Sequence, residues 1–132
     1  MNSTIVVIER DGWYLEQLAR MLTWGGYRNT LCLPEASALA QLPAHSPDLI
    51  ILGLYRGQNA PLWQPLVQLR ARPALQSTPI ILCGSDPDLW REALRANLTR
   101  HCTFLRKPLQ IDLVLSEVRA QLQGLGARAV GA

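Results

Sequence analysis

The chain has a single lysine, Lys107, and a single phenylalanine, Phe104, among 132 residues. Arginine supplies the rest of the positive charge, and the twelve arginines are spread along the chain. A dispersed basic set with a net charge of only +3 reads as a solvated surface and not as a nucleic-acid footprint. The three cysteines, Cys32, Cys83 and Cys102, have no paired spacing, which excludes a disulfide framework or a zinc motif. Buried reduced thiols are expected instead. No apolar run approaches membrane-spanning length. Met1 to Thr4 lacks the basic region and apolar stretch of a signal peptide, so a cytoplasmic protein is expected. There is no Gly-rich phosphate loop. His45 and His101 have no acid or cysteine at ligand spacing, so neither is read as a metal or phosphorelay histidine.

What is present is regular alternation. The organising stretch is Ser46-Pro47-Asp48-Leu49-Ile50-Ile51-Leu52-Gly53, a short apolar run opened by a turn signal. Such a run fits a strand buried on both faces, as in a parallel sheet covered by helices. Thr4 to Ile8, Asn29 to Leu33, Ile80 to Cys83 and His101 to Leu105 read as the other strands. Between them, Leu15, Leu18, Ala19 and Leu22 mark one face of a helix from Trp13 to Trp24, capped by Asp11 and ended by Gly25-Gly26. Pro34 and Glu35 suit the first turn of a short helix to Leu42. Further helices are expected over Leu62 to Ala71, over Pro87 to Asn97 with Ser85 or Asp86 as cap, and over Leu109 to Gln123 with Ile111, Leu115, Val118 and Leu122 inward. Trp13, Trp63 and Trp90 fall on or beside apolar stripes and are expected to be partly core. Trp24, beside the glycine pair, is a candidate exposed contact. Five strands alternating with five helices call for an α/β fold with a parallel sheet. One domain is expected over residues 1–123, with a Gly/Ala-rich tail at 124–132. That tail would suit a linker, which leaves an output domain outside this chain open.

In such folds function gathers beyond the carboxyl ends of the strands. Here those ends carry Glu9-Arg10-Asp11, Gly53, Gly84-Ser85 and Lys107-Pro108. With Pro47 to Leu52, Leu69-Arg70 through Ile81, and Lys107-Pro108 in this order, the chain from Thr4 to Leu122 resembles the receiver domain of bacterial two-component response regulators. The resemblance implies a flavodoxin-like doubly wound sheet of order 2-1-3-4-5. It also implies a site in which two acids after strand one hold magnesium and an aspartate after strand three accepts a phosphoryl group. A hydroxyl after strand four and a lysine after strand five contact that group, and an aromatic residue near the lysine moves on activation.

Carried over by position, the acid pair falls on Glu9 and Arg10 and the acceptor on Gly53. The hydroxyl falls on Gly84, the lysine on Lys107 and the aromatic on Phe104. The Lys107-Pro108 bond takes the place of one that is often cis in the family. Gly53 offers no nucleophilic oxygen. A divalent ion about 4 Å from Arg10 would meet roughly 8 kcal/mol of repulsion at an effective dielectric of about 20. The expectation is therefore a pseudo-receiver with no bound magnesium, no cofactor, no aspartyl phosphate and no enzyme activity.

Several roles stay open at this point. Glu9 and Arg10 either form a solvated turn, or Arg10 or Lys107 neutralises Glu9 and fills the metal position. Lys107 serves either packing or anion binding. Phe104 is a packed aromatic or a switch. Tyr55 and Arg56 either close over the pocket or face solvent. The leading expectation is a signalling module that contacts a protein partner or a second copy, without membrane or direct nucleic-acid binding. Its contact surface, by resemblance, is built from the fourth helix, fifth strand and fifth helix: Trp90, Arg91, Arg95, Phe104, Arg106 and Arg119. The alternative is an anion or nucleotide site in the space vacated at Gly53 and Gly84, near Arg10 and Lys107.

Overall fold

The computed structural model describes residues 3–34, 38–42, 47–55 and 64–124. Its elements are β1 (Thr4–Glu9), α1 (Gly12–Trp24), β2 (Asn29–Pro34), α2 (Ala38–Gln41), β3 (Leu49–Gly53), α3 (Gln64–Arg70), β4 (Ile80–Gly84), α4 (Pro87–Arg95), β5 (Cys102–Arg106) and α5 (Ile111–Leu122), with one 3-10 turn at Pro73–Leu75. The five strands form one sheet of order β2-β1-β3-β4-β5. Every neighbouring pair is parallel, as the strand-helix alternation requires.

The central strands alternate their side chains between two covered faces. Ile5, Val7, Leu49, Ile51, Ile81 and Cys83 meet Leu18 and Leu22 of α1 and Val114 and Val118 of α5. Val6, Ile8, Ile50, Leu52, Ile80 and Leu82 meet Leu66 and Leu69 of α3 and Leu89 of α4. All five residues of β3 and all five of β4 are buried. An unbroken apolar run is what a strand between two helical layers needs.

Caps and ends follow local chemistry. The Asp11 carboxylate accepts from the Trp13 amide at 2.9 Å, and that of Asp86 from the Asp88 amide at 2.9 Å. Asp86, rather than Ser85, caps α4. Asn97 follows α4 at φ 59°, a left-handed conformation that Asn tolerates better than most residues.

Four expectations need correction. Pro34 does not open a helix. It closes β2, paired with Glu9, and tolerates this because β2 is an edge strand whose outer side needs no ladder donor. The helices of seven residues or more number four among the described residues, and α2 is a single turn. Val118 of α5 is buried and Leu122 packs against the core as expected, but Val114 and Gln121 complete the buried stripe and Ile111 is exposed. Trp13 is exposed and not part of the core. Glu35, Pro43, His45, Ser46, Arg56, Leu62, Trp63 and the tail from 125 lie outside the described residues.

One staple at the opposite end of the sheet from the candidate site was not foreseen. The Arg70 guanidinium donates to the carbonyls of Leu75 at 2.6 Å, Thr78 at 2.7 Å and Arg100 at 2.8 Å. It ties the end of α3 to the turns that lead into β4 and β5. No described helix is long and apolar enough to cross a membrane.

Candidate functional site

Glu9, Gly53 and Gly84 are the last residues of β1, β3 and β4, and Lys107 directly follows β5. The parallel register brings these ends level: Ile8 lies opposite Leu52, Gly53 opposite Cys83, and Gly84 opposite Arg106. The Lys107 amide donates to the Gly84 carbonyl at 2.8 Å, and the Leu54 amide to the Cys83 carbonyl at 2.7 Å. The Lys107-Pro108 peptide is cis.

The side chains at this edge form a closed ionic cluster. Glu9 is 1% exposed and Lys107 is 4% exposed. The Lys107 ammonium lies 3.4 Å from both carboxylate oxygens of Glu9. It also donates to the Tyr55 hydroxyl at 2.6 Å, and that hydroxyl in turn donates to Glu9. The Asp11 amide gives Glu9 a further donor at 3.1 Å. Two aromatic faces complete the shell, with Lys107 Nζ 4.1 Å from the Tyr14 ring centre and 4.2 Å from that of Tyr55. Cations over such faces gain about 0.5–2 kcal/mol each. Arg10 is exposed and sets its guanidinium 4.9 Å over the outer part of this shell, on Tyr55.

Burial raises the Glu9 carboxyl above its ordinary 4.5, with the Asp11 amide and the Lys107 charge opposing. Cys83 is pushed up to about 12, chiefly by burial.

The decisive geometry is at Gly53. A Cβ there would fall 2.1 Å from Glu9 Oε2 and 2.6 Å from its Cδ. The Glu9 carboxylate therefore occupies the space into which a side chain at position 53 would grow. The absence of a side chain at Gly53 and the burial of the Glu9 carboxylate go together. A Cβ at Gly84 would meet Phe104 at 3.2 Å, the Leu54 carbonyl at 3.3 Å and Leu89 at 3.4 Å. Phe104 is half-buried and stacks on Trp90 at 5.9 Å.

Of the roles left open by the sequence, neutralisation of Glu9 by Lys107 is the one observed. Glu9 is not part of a solvated turn, and Tyr55 does close over the cluster. The roomy vacated pocket does not form, because Glu9 fills the space at Gly53 and Phe104 crowds that at Gly84. This removes the basis for an anion or nucleotide site there. Asp11 serves as the α1 cap. Among the described residues, no group of three or more His, Cys, Asp or Glu side chains is placed to hold a metal ion. Tyr14 was missed. It lies early in α1, and nothing in its sequence neighbourhood marks it as the partner of a lysine more than ninety positions away.

No protein-family model matches the chain, and no curated protein matches it in sequence. Solved structures do match. A signal receiver domain of a signal transduction histidine kinase from Syntrophus aciditrophicus is 26% identical, with a TM-score of 0.72, covering 93% of this chain and 92% of its own. A CheY-like response regulator receiver domain protein from Methanospirillum hungatei JF-1 matches with a TM-score of 0.76 at 13% identity, over 97% of this chain and 99% of its own. The chain has the receiver-domain fold. A sensor protein from Polaromonas sp. JS666 is also similar, with a TM-score of 0.76 at 18% identity over 95% and 99% of the two chains. The sheet order and these neighbours make the architecture flavodoxin-like.

Proposed function

We propose that this chain is a pseudo-receiver: a signalling module that works by protein contact and without aspartyl phosphorylation. The observation that carries the reading is the Glu9 carboxylate, held by Lys107 in the space of the side chain absent from Gly53. Phosphoryl transfer needs an accessible nucleophilic oxygen and a metal held by hard oxygens. Position 53 offers no nucleophile. The one carboxylate at the metal position is buried and is already held by three donors, the Lys107 ammonium, the Tyr55 hydroxyl and the Asp11 amide. Lys107 is likewise engaged and is not presented to an incoming anion.

On this reading the chain is not an enzyme, requires no cofactor, acts in the cytoplasm and does not itself bind nucleic acid. Residues 1–123 are the working domain. The contact surface is formed by α4, β5 and α5. Trp90 and Phe104 stack there, half-buried, while Arg91, Arg95, Arg106 and Arg119 are exposed around them. Aromatic and arginine side chains are the types that dominate binding energy at interfaces. Any switching would come from a partner that binds one state better than another.

The test is an amide NMR titration with magnesium and beryllofluoride, a phosphoryl mimic. The signals of Glu9, Gly53, Gly84 and Lys107 are expected to stay in place. Saturable shifts at those four positions would overturn the proposal.

A further inference from the structure

Helix α1 buries one apolar stripe and exposes two tryptophans on its other side. At about 100° per residue, Leu15, Leu18 and Leu22 cluster on the side that packs on the sheet. Trp13 and Trp24 lie on the opposite side. They are eleven positions apart, which is about three turns or ~16.5 Å, and only about 20° apart around the axis. Trp13 is 59% exposed and Trp24 is 81% exposed. A helix with one buried stripe ordinarily presents polar residues opposite it. Here two indoles stand there, with the exposed Glu16–Arg20 ion pair at 2.6 Å between them. Beside Trp24 lies an open depression lined by Glu16, Ala19, Arg20 and Thr23.

We infer that this face of α1 binds the same face of a second copy, as a two-fold antiparallel helix pair. This rests on the reading of the chain as a contact module, and assigns the second copy to α1 and any different partner to the Trp90–Phe104 surface. The argument for a second copy is self-complementarity. A two-fold interface pairs each residue with its mirror position along the helix. With the axis near the middle of α1, Trp13 of one copy falls over Trp24 of the other. Glu16 then comes beside Arg20 of the other copy, and reciprocally. The face carries one charge of each sign, so two copies meet opposite charges at both places.

The exposed indole surface, taken against about 250 Å² for a whole Trp, comes to ~350 Å² per copy. That is a little under half of the ~800 Å² per partner in a standard interface, so the flanking surface of Glu16 and Arg20 must add to it before the pair clears the ~1,000 Å² total of a specific contact. The association is therefore reversible and concentration-dependent.

Sedimentation velocity of the full chain from about 10 µM to about 1 mM reads it. A monomer-dimer equilibrium is expected. Trp24→Ala, and Trp13→Ala separately, should raise the dissociation constant more than about tenfold. Glu16→Arg should do the same by placing arginines against each other. Glu16→Arg with Arg20→Glu should restore the parent constant. These positions are exposed, so a circular dichroism spectrum matching the parent confirms that the fold is kept. A monomer throughout this range overturns the inference. So does a dimer that survives both tryptophan changes, or one abolished by Trp90→Ala or Arg119→Glu instead. In that last case the α4-β5-α5 surface holds the second copy, and the contact-module reading stands without the α1 assignment.

Discussion

Replacing Gly53 by alanine adds a single carbon, and the sign of its effect depends on what fills the space beside β3. A glycine in a strand ordinarily costs about 0.5–1 kcal/mol relative to alanine, so the change would normally stabilise. Here the new carbon would fall 2.1 Å from Glu9 Oε2 and must expel the carboxylate. Removing one partner of a buried pair outright costs about 3–5 kcal/mol, which is the upper limit for a displaced carboxylate whose side chain can still shift. Offset by the usual strand gain, Gly53→Ala should destabilise by up to about 2–4 kcal/mol. In a Glu9→Ala background the space is open, and the same change should be neutral or stabilise by about 0.5–1 kcal/mol. The coupling energy is then up to about 3–5 kcal/mol, outside the scatter of about 0.3–0.5 kcal/mol for independent sites. Urea denaturation of the parent, both single variants and the double variant measures it. A Gly53→Ala protein as stable as its parent would refute the placement of Glu9. So would the same loss in both backgrounds.

Lys107→Met leaves Glu9 buried without its cation and should cost about 3–5 kcal/mol, while Lys107→Met with Glu9→Gln should recover most of that in the same denaturation assay. Because the folded state holds the Glu9 proton above the ordinary 4.5, it binds a proton that the unfolded chain has released. Stability from this group is greatest below 4.5 and falls as pH rises through the folded value. The stability of Glu9→Gln relative to the parent should therefore rise across that window, and a difference flat in pH would contradict the burial of an ionisable Glu9. Thiol titration of the native protein near neutral pH should modify Cys32, which is half-buried, before Cys83 and Cys102, which react only on unfolding. Arg70→Ala removes a charged donor from three carbonyls and should cost about 2–4 kcal/mol, with Arg70→Lys recovering only part because an ammonium cannot span the same acceptors.

The sheet was legible because its signal is local. The apolar runs at Ile5–Ile8, Leu49–Leu52 and Ile80–Cys83 carry no polar interruption, and each is a strand with both faces covered. The α1 cap at Asp11 is equally plain, whereas the choice between Ser85 and Asp86 for α4 needs the structure, which gives Asp86. Pro34 misled because a proline suits both a first helical turn and an edge strand, and only the pairing with β1 decides between them. The departures from the receiver pattern at Arg10, Gly53 and Gly84 can be read by position. What surrounds them cannot. The cluster joins positions 9, 14, 55 and 107, which no spacing rule connects, and the shift of Glu9 into the space beside Gly53 is a packing event. Position alone groups Gly84 with Gly53 in one pocket, whereas its open side is closed by Phe104 and Leu89 from the other core layer. The nearness of Trp13 to an apolar stripe suggests a partly core residue, yet about 160–200° of rotation separates it from Leu15 and Leu22.

The central claim is that the chain no longer accepts a phosphoryl group. Intact mass spectrometry after incubation with magnesium and a small phosphodonor addresses it most directly, with an active receiver domain as the positive control. The account predicts a mass unchanged from the untreated protein, both for the parent and for Glu9→Ala, which opens the space beside Gly53 without supplying a nucleophile. A phosphoryl adduct on the parent chain, stable to buffer exchange and removed by hydroxylamine, would contradict it.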